Sequence, residues 1–466
     1  MLLTPIVLFV ILMILLYVPP VQNFIRKQAT AIASDATGMN ISVERIDLRF
    51  PLNLLVRGVQ VVQSEADAAD VQHPDTLLNL GSLNVSVQAW PLLQGRVEVN
   101  DITLQQVAVN SSNLLEGMHI KGTLGWFFLE SHGIDLKKED AILNNVELSN
   151  THMQVMLADT TETPKDSTET AVNWRIALHN LKLKNVSVDL QMPLDSMALG
   201  ANIGDASIED ANVDLKRQFY GWRRFTLTES AVNYDSGMAA PVEGFDASHI
   251  ALRDIRIGID SVMACGREMN AIIREFSMYD RSGLTVTSLT GRLFADSTLI
   301  RIPYLQLKTP HSDMDLTAQT YWKLVDIPTT GHLSARFNAN IGKQDVLLFA
   351  GGLPETFKEA YPFRPLVIHA GTEGNLKQMQ ISRFTAELPG AFFLSGGGEL
   401  WNLTDSLTRN GGLDFEMQTQ DLNFLTGLTG VTPDGSIIVP DSMNLVARLG
   451  LDGPQCNCLL YTSDAA

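Results

Sequence analysis

The sequence predicts a mainly β chain behind a single hydrophobic N-terminal helix, and three observations carry that expectation. An uncharged apolar stretch opens the chain, period-two alternation dominates from Ile41 onward, and Gly, Asn, Asp and Pro fall between the alternating runs. The 466 residues allow a large core and roughly two to four ordinary domains. A hydrophobic share of 45% excludes both a disordered body and a multi-spanning one. Only 18% of residues are charged, which suits an extended β protein with uncharged polar solvent faces.

The opening stretch is Leu2–Val18, LLTPIVLFVILMILLYV. As a helix it spans roughly 25 Å, close to the lower limit for crossing a hydrocarbon core of about 30 Å. Pro5 falls in the first turns, where a missing N–H does little harm, and Pro19-Pro20 ends the segment. A cleaved signal peptide is the competing reading. No small-x-small cleavage site follows directly, however, and VQNFIRKQA continues as an amphipathic helix. The expectation is therefore a retained transmembrane anchor over residues 1–20 and a juxtamembrane helix over 21–38, stopped by Gly38. Arg26 and Lys27 follow the anchor and no Lys or Arg precedes it, which taken alone favours a cytoplasmic body. Long domains translocate regardless of local charge, so charge leaves the orientation open.

The body alternates in NVSVQAW (Asn84–Trp90), VEVNDITL (Val97–Leu104), LKLKNVSVDLQM (Leu181–Met192), IRIGIDSV (Ile255–Val262), LTVTSLTGRL (Leu284–Leu293) and MNLVARLGLD (Met443–Asp452). Such one-face alternation means a sheet with one apolar and one wet side. A loose repeat is also visible: an apolar strand, an Asn- or Asp-containing step, and a second alternating strand. LNNVELSNTHMQV (Leu143–Val155), LHNLKLKNVSVDL (Leu178–Leu190), IEDANVDL (Ile208–Leu215) and HIALRDIRIGI (His249–Ile259) share it. The spacing is too irregular for a leucine-rich or propeller array. One long, progressively extended sheet and a pair of ordinary β-sandwiches both satisfy the pattern.

The β regions run over 39–157, 171–342 and 366–453. A Thr-rich flexible loop at 158–170 and a short helical insert at 343–365 separate them. Alternation stops at Gly453, and GPQCNCLLYTSDAA continues no pattern, so residues 454–466 are expected to be a non-native tail.

The chain shows no catalytic constellation, and an enzyme is not expected. A net charge of −18 argues against nucleic acid as a partner, because phosphate binding needs clustered Lys and Arg. Cys265, Cys456 and Cys458 form no disulfide framework, and CNC is not a zinc pair. HExxH, C-x-x-C and G-x-S-x-G are all missing. His311, Asp313 and Asp315 in HSDMD read as one solvated strand face rather than a metal site. Gly396–Gly398 read as bulge or close-packing glycines. Trp222 with Arg223 and Arg224 reads as a strand end. No cofactor or metal is expected.

Four features in order resemble the AsmA-like superfamily, specifically its TamB branch from Bacteroidetes-type bacteria. A hydrophobic anchor precedes a helix ending in Thr37-Gly38. ISVERIDLRFPLNLLVRGVQVV (Ile41–Val62) follows, as the opening strand pair with its turn at Phe50-Pro51-Leu52. DTLLNLGSLNVSVQAWPLLQGRVEVNDITLQQVAV (Asp75–Val109) places a Trp-Pro-Leu-Leu turn between two strands. FRPLVIHAGTEGNLKQMQISRFTAEL (Phe363–Leu388) has a Gly-Asn-Leu turn between two more. Family members are longer and carry a C-terminal domain that has no counterpart here.

The resemblance implies an elongated, curled antiparallel β-sheet with few short helices, forming a taco-like groove with an apolar inside. It implies a single-pass inner-membrane protein with its body in the periplasm. The implied partners are phospholipid acyl chains, the inner membrane and an Omp85-class outer-membrane barrel reached through the missing C-terminal part. The implied roles are phospholipid transport to the outer membrane and outer-membrane protein assembly or secretion.

In that groove Val85, Val87, Val97, Val99, Leu181, Leu183, Val186, Val188, Ile255, Ile257 and Ile259 would face inward. Strands of about six residues would make a wall roughly 20 Å wide. The competing function is an exported, membrane-anchored structural stalk or adhesin with a filled core. An outer-membrane β-barrel fits less well, because barrels lack a spanning helix and carry aromatic girdles.

Overall fold

Strands account for most of the chain, and each is long enough to need its own explanation. The computed structural model describes residues 19–37, 39–49, 53–62, 76–88, 99–111, 117–135, 138–157, 173–237, 239–429 and 442–463. The expected anchor at Leu2–Val18, Val97, the loop at 158–170 and the turns at Phe50-Pro51-Leu52 and Trp90–Leu93 lie outside them. No helix among the described residues is long and apolar enough to cross a membrane.

The chain divides into two units, Met1–Met238 and Ala239–Ala466. The first begins with helix α1 (Pro19–Thr37). Proline suits its first turn, where the N–H has no intrahelical partner. Nine strands follow: β1 (Asn40–Arg49), β2 (Asn53–Val62), β3 (Thr76–Val87), β4 (Val99–Asn110), β5 (Met118–Asp135), β6 (Asp140–Leu157), β7 (Arg175–Met192), β8 (Met197–Asp214) and β9 (Phe219–Ser236). Each pairs with the next in the chain, so the unit is one continuous ladder rather than a two-sheet sandwich.

Helix α1 runs along the outer edge of β1. Gln22 Nε2 donates to Leu48 O at 3.3 Å. Arg26 Nη1 donates to Val43 O at 3.2 Å and Glu44 O at 2.9 Å, and the Ile41 N–H donates to Ser34 Oγ at 3.1 Å. Helix side chains thus satisfy backbone groups that an edge strand otherwise leaves open.

Two expectations are corrected here. The sheet is not antiparallel throughout, because β6 and β7 pair in parallel with a constant offset, from Asp140 opposite Arg175 to Met156 opposite Gln191. The repeat read in Leu143–Val155 and Leu178–Leu190 is this pair, lying side by side. The strands are also three times longer than expected: β5 to β9 each span 18 residues, or about 55–60 Å. The Asn step taken as a break between strands lies inside one strand, because a single left-handed residue is absorbed there as a bulge.

The second unit is an antiparallel meander: β10 (His249–Cys265), β11 (Glu268–Asp280), β12 (Thr285–Val286), β13 (Ser288–Ala295), β14 (Leu299–Lys308), β15 (Asp313–Tyr321), β16 (Leu333–Ile341), β17 (Leu366–Asn375), β18 (Gln378–Leu388), β19 (Phe392–Trp401), β20 (Asn410–Thr419), β21 (Met443–Asp452) and β22 (Gln455–Ser463). Helix α2 (Trp322–Asp326) follows β15, and α3 (Lys343–Phe349) and α4 (Glu355–Ala360) lie between β16 and β17. A 3₁₀ segment, Asn423–Thr429, follows β20. Residues 455–463, expected to continue no pattern, form β22 against β21, with Asp452 opposite Gln455 and Asn444 opposite Ser463. Edge pairing needs only free backbone groups on β21, and the side chains of Leu459, Leu460 and Tyr461 stay exposed.

Candidate functional site, a one-sided apolar sheet face

In a ladder, directly opposed residues share a face, so register assigns each side chain to a side. One row crosses the first unit as Leu48, Leu54, Val85, Ile102, Leu129, Val146, Leu181, Ile208 and Phe225. The next residue along each strand makes the row Arg49, Asn53, Ser86, Asp101, Glu130, Asn145, Asn180, Glu209 and Arg224. Every member of the first row is apolar and every member of the second is polar. That is sidedness across nine strands.

The apolar face continues as Ile46, Val56, Leu83, Leu104, Phe127, Leu148, Leu183, Ala206 and Leu227. Beyond it lies Val43, Val59, Leu80, Val107, Leu124, Thr151, Val186 and Ile203. Between these two rows the spacing along every strand is three residues instead of two, as in Leu183 to Val186. Strict alternation would put them on opposite faces. The extra residue is a bulge at left-handed Gln106, Asn150, Asn185 and Glu229, with φ of 56°, 51°, 52° and 53°.

Glycine faces several of these residues for lack of room. A Cβ on Gly125 would lie 2.8 Å from Asn150 Cβ, and one on Gly204 would lie 2.3 Å from the Glu229 carbonyl oxygen. A second irregularity shifts Leu143 to Val146 and Leu178 to Leu181 in the same way. Both lines cross adjacent strands together, so the face is preserved on either side of them.

Among the described residues of this unit, α1 packs against β1 and the 3₁₀ turn Pro193–Asp195 against β8. The apolar rows are mostly half-buried, and deepest at Ala206, Val186 and Leu80, which are 4%, 6% and 8% exposed.

The expected inward residues fall as follows. Val85 and Leu181 lie in the first apolar row, Leu183 in the second and Val186 in the third. Val188, opposite Met153 and Ala201, lies one step further on. Val87 pairs with Val99. Ile255, Ile257 and Ile259 belong to the second unit; Ile257 faces Phe276, and Ile259 faces Ile273. The structure therefore joins the first-unit residues other than Val97, which lies outside the described residues, on one face. Sequence reasoning missed most of that face, including Phe127, Leu129, Val146, Leu148 and Met153. In β6 the face is spaced three, two, three and two, from Leu143 through Val146, Leu148 and Thr151 to Met153, which matches neither a plain strand nor a helix.

The second unit repeats the principle. Leu289, Leu307, Met314, Ala339, Ile368, Ala386, Leu394, Met417 and Leu445 form one row. Gly291, Leu305, Leu316, Phe337, Ala370, Phe384, Gly396, Phe415 and Ala447 form the next. In the second of these rows small residues alternate with large ones from Phe337 to Ala447. A Cβ on Gly396 would sit 2.3 Å from Phe415 Cδ1, and the Phe384 and Phe415 rings meet edge to face at 6.3 Å.

Polar side chains on the other face bond mainly to one another. Asp210 accepts from Arg223 Nε at 2.7 Å and faces His179 Nδ1 at 3.1 Å; Arg223 also reaches Glu209 at 2.8 Å. The hydrogen bond with His179, then that from Arg223, holds Asp210 below the usual carboxylate value of 3.8. Arg223 and Arg224 sit inside β9 rather than at its end. Asn338 Nδ2 donates to Asp315 and Asn340 Nδ2 to Asp313, while His311 lies in the turn before β15. No cluster of His, Cys, Asp and Glu among the described residues is placed to hold a metal. The face offers mainly hydrocarbon and ring surface.

No protein-family model matches the chain, and no curated protein matches it.

Proposed function

We propose that this protein is an inner-membrane-anchored periplasmic scaffold whose apolar sheet face carries phospholipid acyl chains toward the outer membrane and supports outer-membrane protein assembly or secretion. One observation carries the reading: complete apolar rows cross β1 to β9 on one side, with polar rows on the other. Moving a lipid through water exposes about 0.8 kcal/mol per methylene, so a chain of sixteen carbons costs on the order of 12 kcal/mol. A continuous apolar surface removes most of that cost without covalent chemistry. Under this reading an Omp85-class barrel receives the cargo.

Native mass spectrometry of the full chain, with lipid extraction alongside, tests the proposal. Phospholipid is expected to co-purify, to fall sharply in Val188→Asp, and to persist in Asp189→Lys, whose side chain belongs to the polar face. Lipid-free protein, or equal loss in both variants, refutes acyl binding on this face and leaves a structural stalk.

A further inference from the structure

The apolar face of the second unit is covered at one strand end. Phe357 and Tyr361 at α4 and Leu422 and Phe424 at the 3₁₀ segment close around Leu388, the last residue of β18, and Ala391, just before β19. The three aromatic rings meet in pairs at centroid distances of 5.8, 5.9 and 5.6 Å. Leu366, Phe392, Met417 and Met443, near the ends of β17, β19, β20 and β21, pack against this cluster. Met417 belongs to the apolar row through Leu394 and Leu445, so the cluster sits on that same face.

Ties from three separate segments fasten it. The β14–β15 turn holds α3: Thr309 and Ser312 hydroxyls donate to buried Asp345, and the Gly342 N–H donates to Ser312 Oγ at 3.0 Å. The 3₁₀ segment holds α4 through Thr356 Oγ1, which donates to Gly427 O at 2.7 Å. The stretch before β10 crosses both helices, where the Phe245 N–H donates to Leu348 O at 2.9 Å and Glu243 pairs with Lys358 at 3.0 Å. Gly351 is required at that crossing, since a Cβ there would lie 1.9 Å from Glu243 O. Undocking would break the bonds of Asp345 to Thr309 and Ser312 and the Lys358–Glu243 pair, and would expose the aromatic cluster to water, which makes this a fixed structure rather than a lid. A cleft of about 810 Å³ beside the cluster has a mixed lining, with Glu359, Asp421 and Asn423 next to Ala360, Pro362 and Phe424.

We propose that this assembly is the end wall of the apolar trough. It shuts one strand end of the second unit to hydrocarbon, so that an acyl chain lies along the rows through Leu394 and Phe415 and cannot leave on the wall's side. The inference rests on the acyl-chain reading above.

The test places p-benzoylphenylalanine at Phe415, inside the wall, or at Glu359, outside it, in the full chain. Each protein is irradiated with vesicles of phosphatidylethanolamine and phosphatidylglycerol carrying a labelled acyl chain. The wall predicts a lipid adduct at position 415 and none at 359, and adducts at 359 once Phe357→Ser and Lys358→Ala loosen the cluster. Adducts at both positions with the wall intact overturn the wall while leaving the acyl-chain reading standing. Absence of adducts at both refutes the acyl-chain reading and the wall with it. The intact-wall comparison leaves the residues of the cluster unchanged, so a folding failure of the loosened variant leaves it decisive.

Discussion

Asn185 Nδ2 donates to Asn150 Oδ1 at 3.2 Å, joining two residues separated by 35 positions that share the same left-handed backbone. Asn180 and Asn145, five positions earlier in each strand, are joined in the same way at 3.3 Å. Repeated side chains stack only when two copies of a motif run in the same direction and in register. These two ladders and the parallel pairing of β6 with β7 are therefore one fact seen at side-chain and backbone level.

The left-handed bulge predicts the effect of replacing Asn185. Asparagine tolerates φ near +52° better than most residues, while a β-branched residue there costs about 1–2 kcal/mol. Asn185→Gly is expected to keep the fold with little change in thermal midpoint. Asn185→Val is expected to lower it and to speed amide exchange at Lys184 and Val186. Equal midpoints for the two variants would show that the bulge is not enforced at this position.

Gly204 makes a sharper prediction, because the obstacle there is backbone. A methyl group would collide with the Glu229 carbonyl at 2.3 Å. Gly204→Ala is expected to cost about 1–3 kcal/mol, as other overpacking changes do. The damage should localise to β8 and β9 by hydrogen exchange. A variant that unfolds in denaturant as wild type does would mean that the two strands can part there without cost.

How much of this was legible in the sequence depends on the bulges. Val85, Leu181 and Leu183 were assignable because plain alternation surrounds them. Leu183 and Val186 were placed on one face across an Asn step, and the left-handed Asn185 is what makes that placement physically consistent. Leu143, Val146, Leu148 and Met153 were not assignable, since two bulges in one strand break the period twice. Strand direction was hidden too: the pairing of Leu143–Val155 with Leu178–Leu190 was visible as similarity, but similarity carries no sense of parallel or antiparallel. The wall in the second unit was out of reach, because Phe357, Leu388 and Phe424 converge from segments far apart in the chain.

The bonds from α1 to β1 predict a change in self-association. In Gln22→Ala with Arg26→Ala the outer edge of β1 loses three side-chain hydrogen bonds, and Val43, Glu44 and Leu48 carbonyls are left free. Open edges recruit other strands. The double variant is expected to form dimers or larger species in size-exclusion chromatography with light scattering. Asn23→Ala with Lys27→Ala, at exposed helix positions, should behave as wild type. Identical elution of all three would show that α1 does not protect this edge.

Acid should loosen the β8–β9 polar cluster before the apolar face. Asp210 has a folded value below its usual 3.8, set by hydrogen bonding with His179 and then Arg223. A lowered carboxylate contributes stability that is fully present above its unfolded value and is lost as pH falls through the folded one. The decline therefore lies below about pH 4. Arg223→Ala is expected to flatten the pH dependence of stability in that range without moving it near neutrality. An unchanged acid slope would mean that Arg223 does not help to lower Asp210 in the folded chain.

The parallel register of β6 and β7 is open to a direct chemical check. A constant offset places Glu147 beside Lys182 and Gln154 beside Asp189, whereas an antiparallel pair satisfying one of these would carry the other well apart. Neighbouring strands lie about 4.8 Å apart, within the Cα separation a disulfide tolerates. Two double-cysteine proteins, Glu147→Cys with Lys182→Cys and Gln154→Cys with Asp189→Cys, should both close under mild oxidation. To avoid mispairing, Cys265, Cys456 and Cys458 are replaced by Ser in each. A mixed pair, Glu147→Cys with Asp189→Cys, should stay reduced because about seven steps along the strand, roughly 20 Å or more, separate its members. Closure of the mixed pair with failure of either matched pair would establish a different register, and the rows through Leu181 and Leu183 would then have to be redrawn.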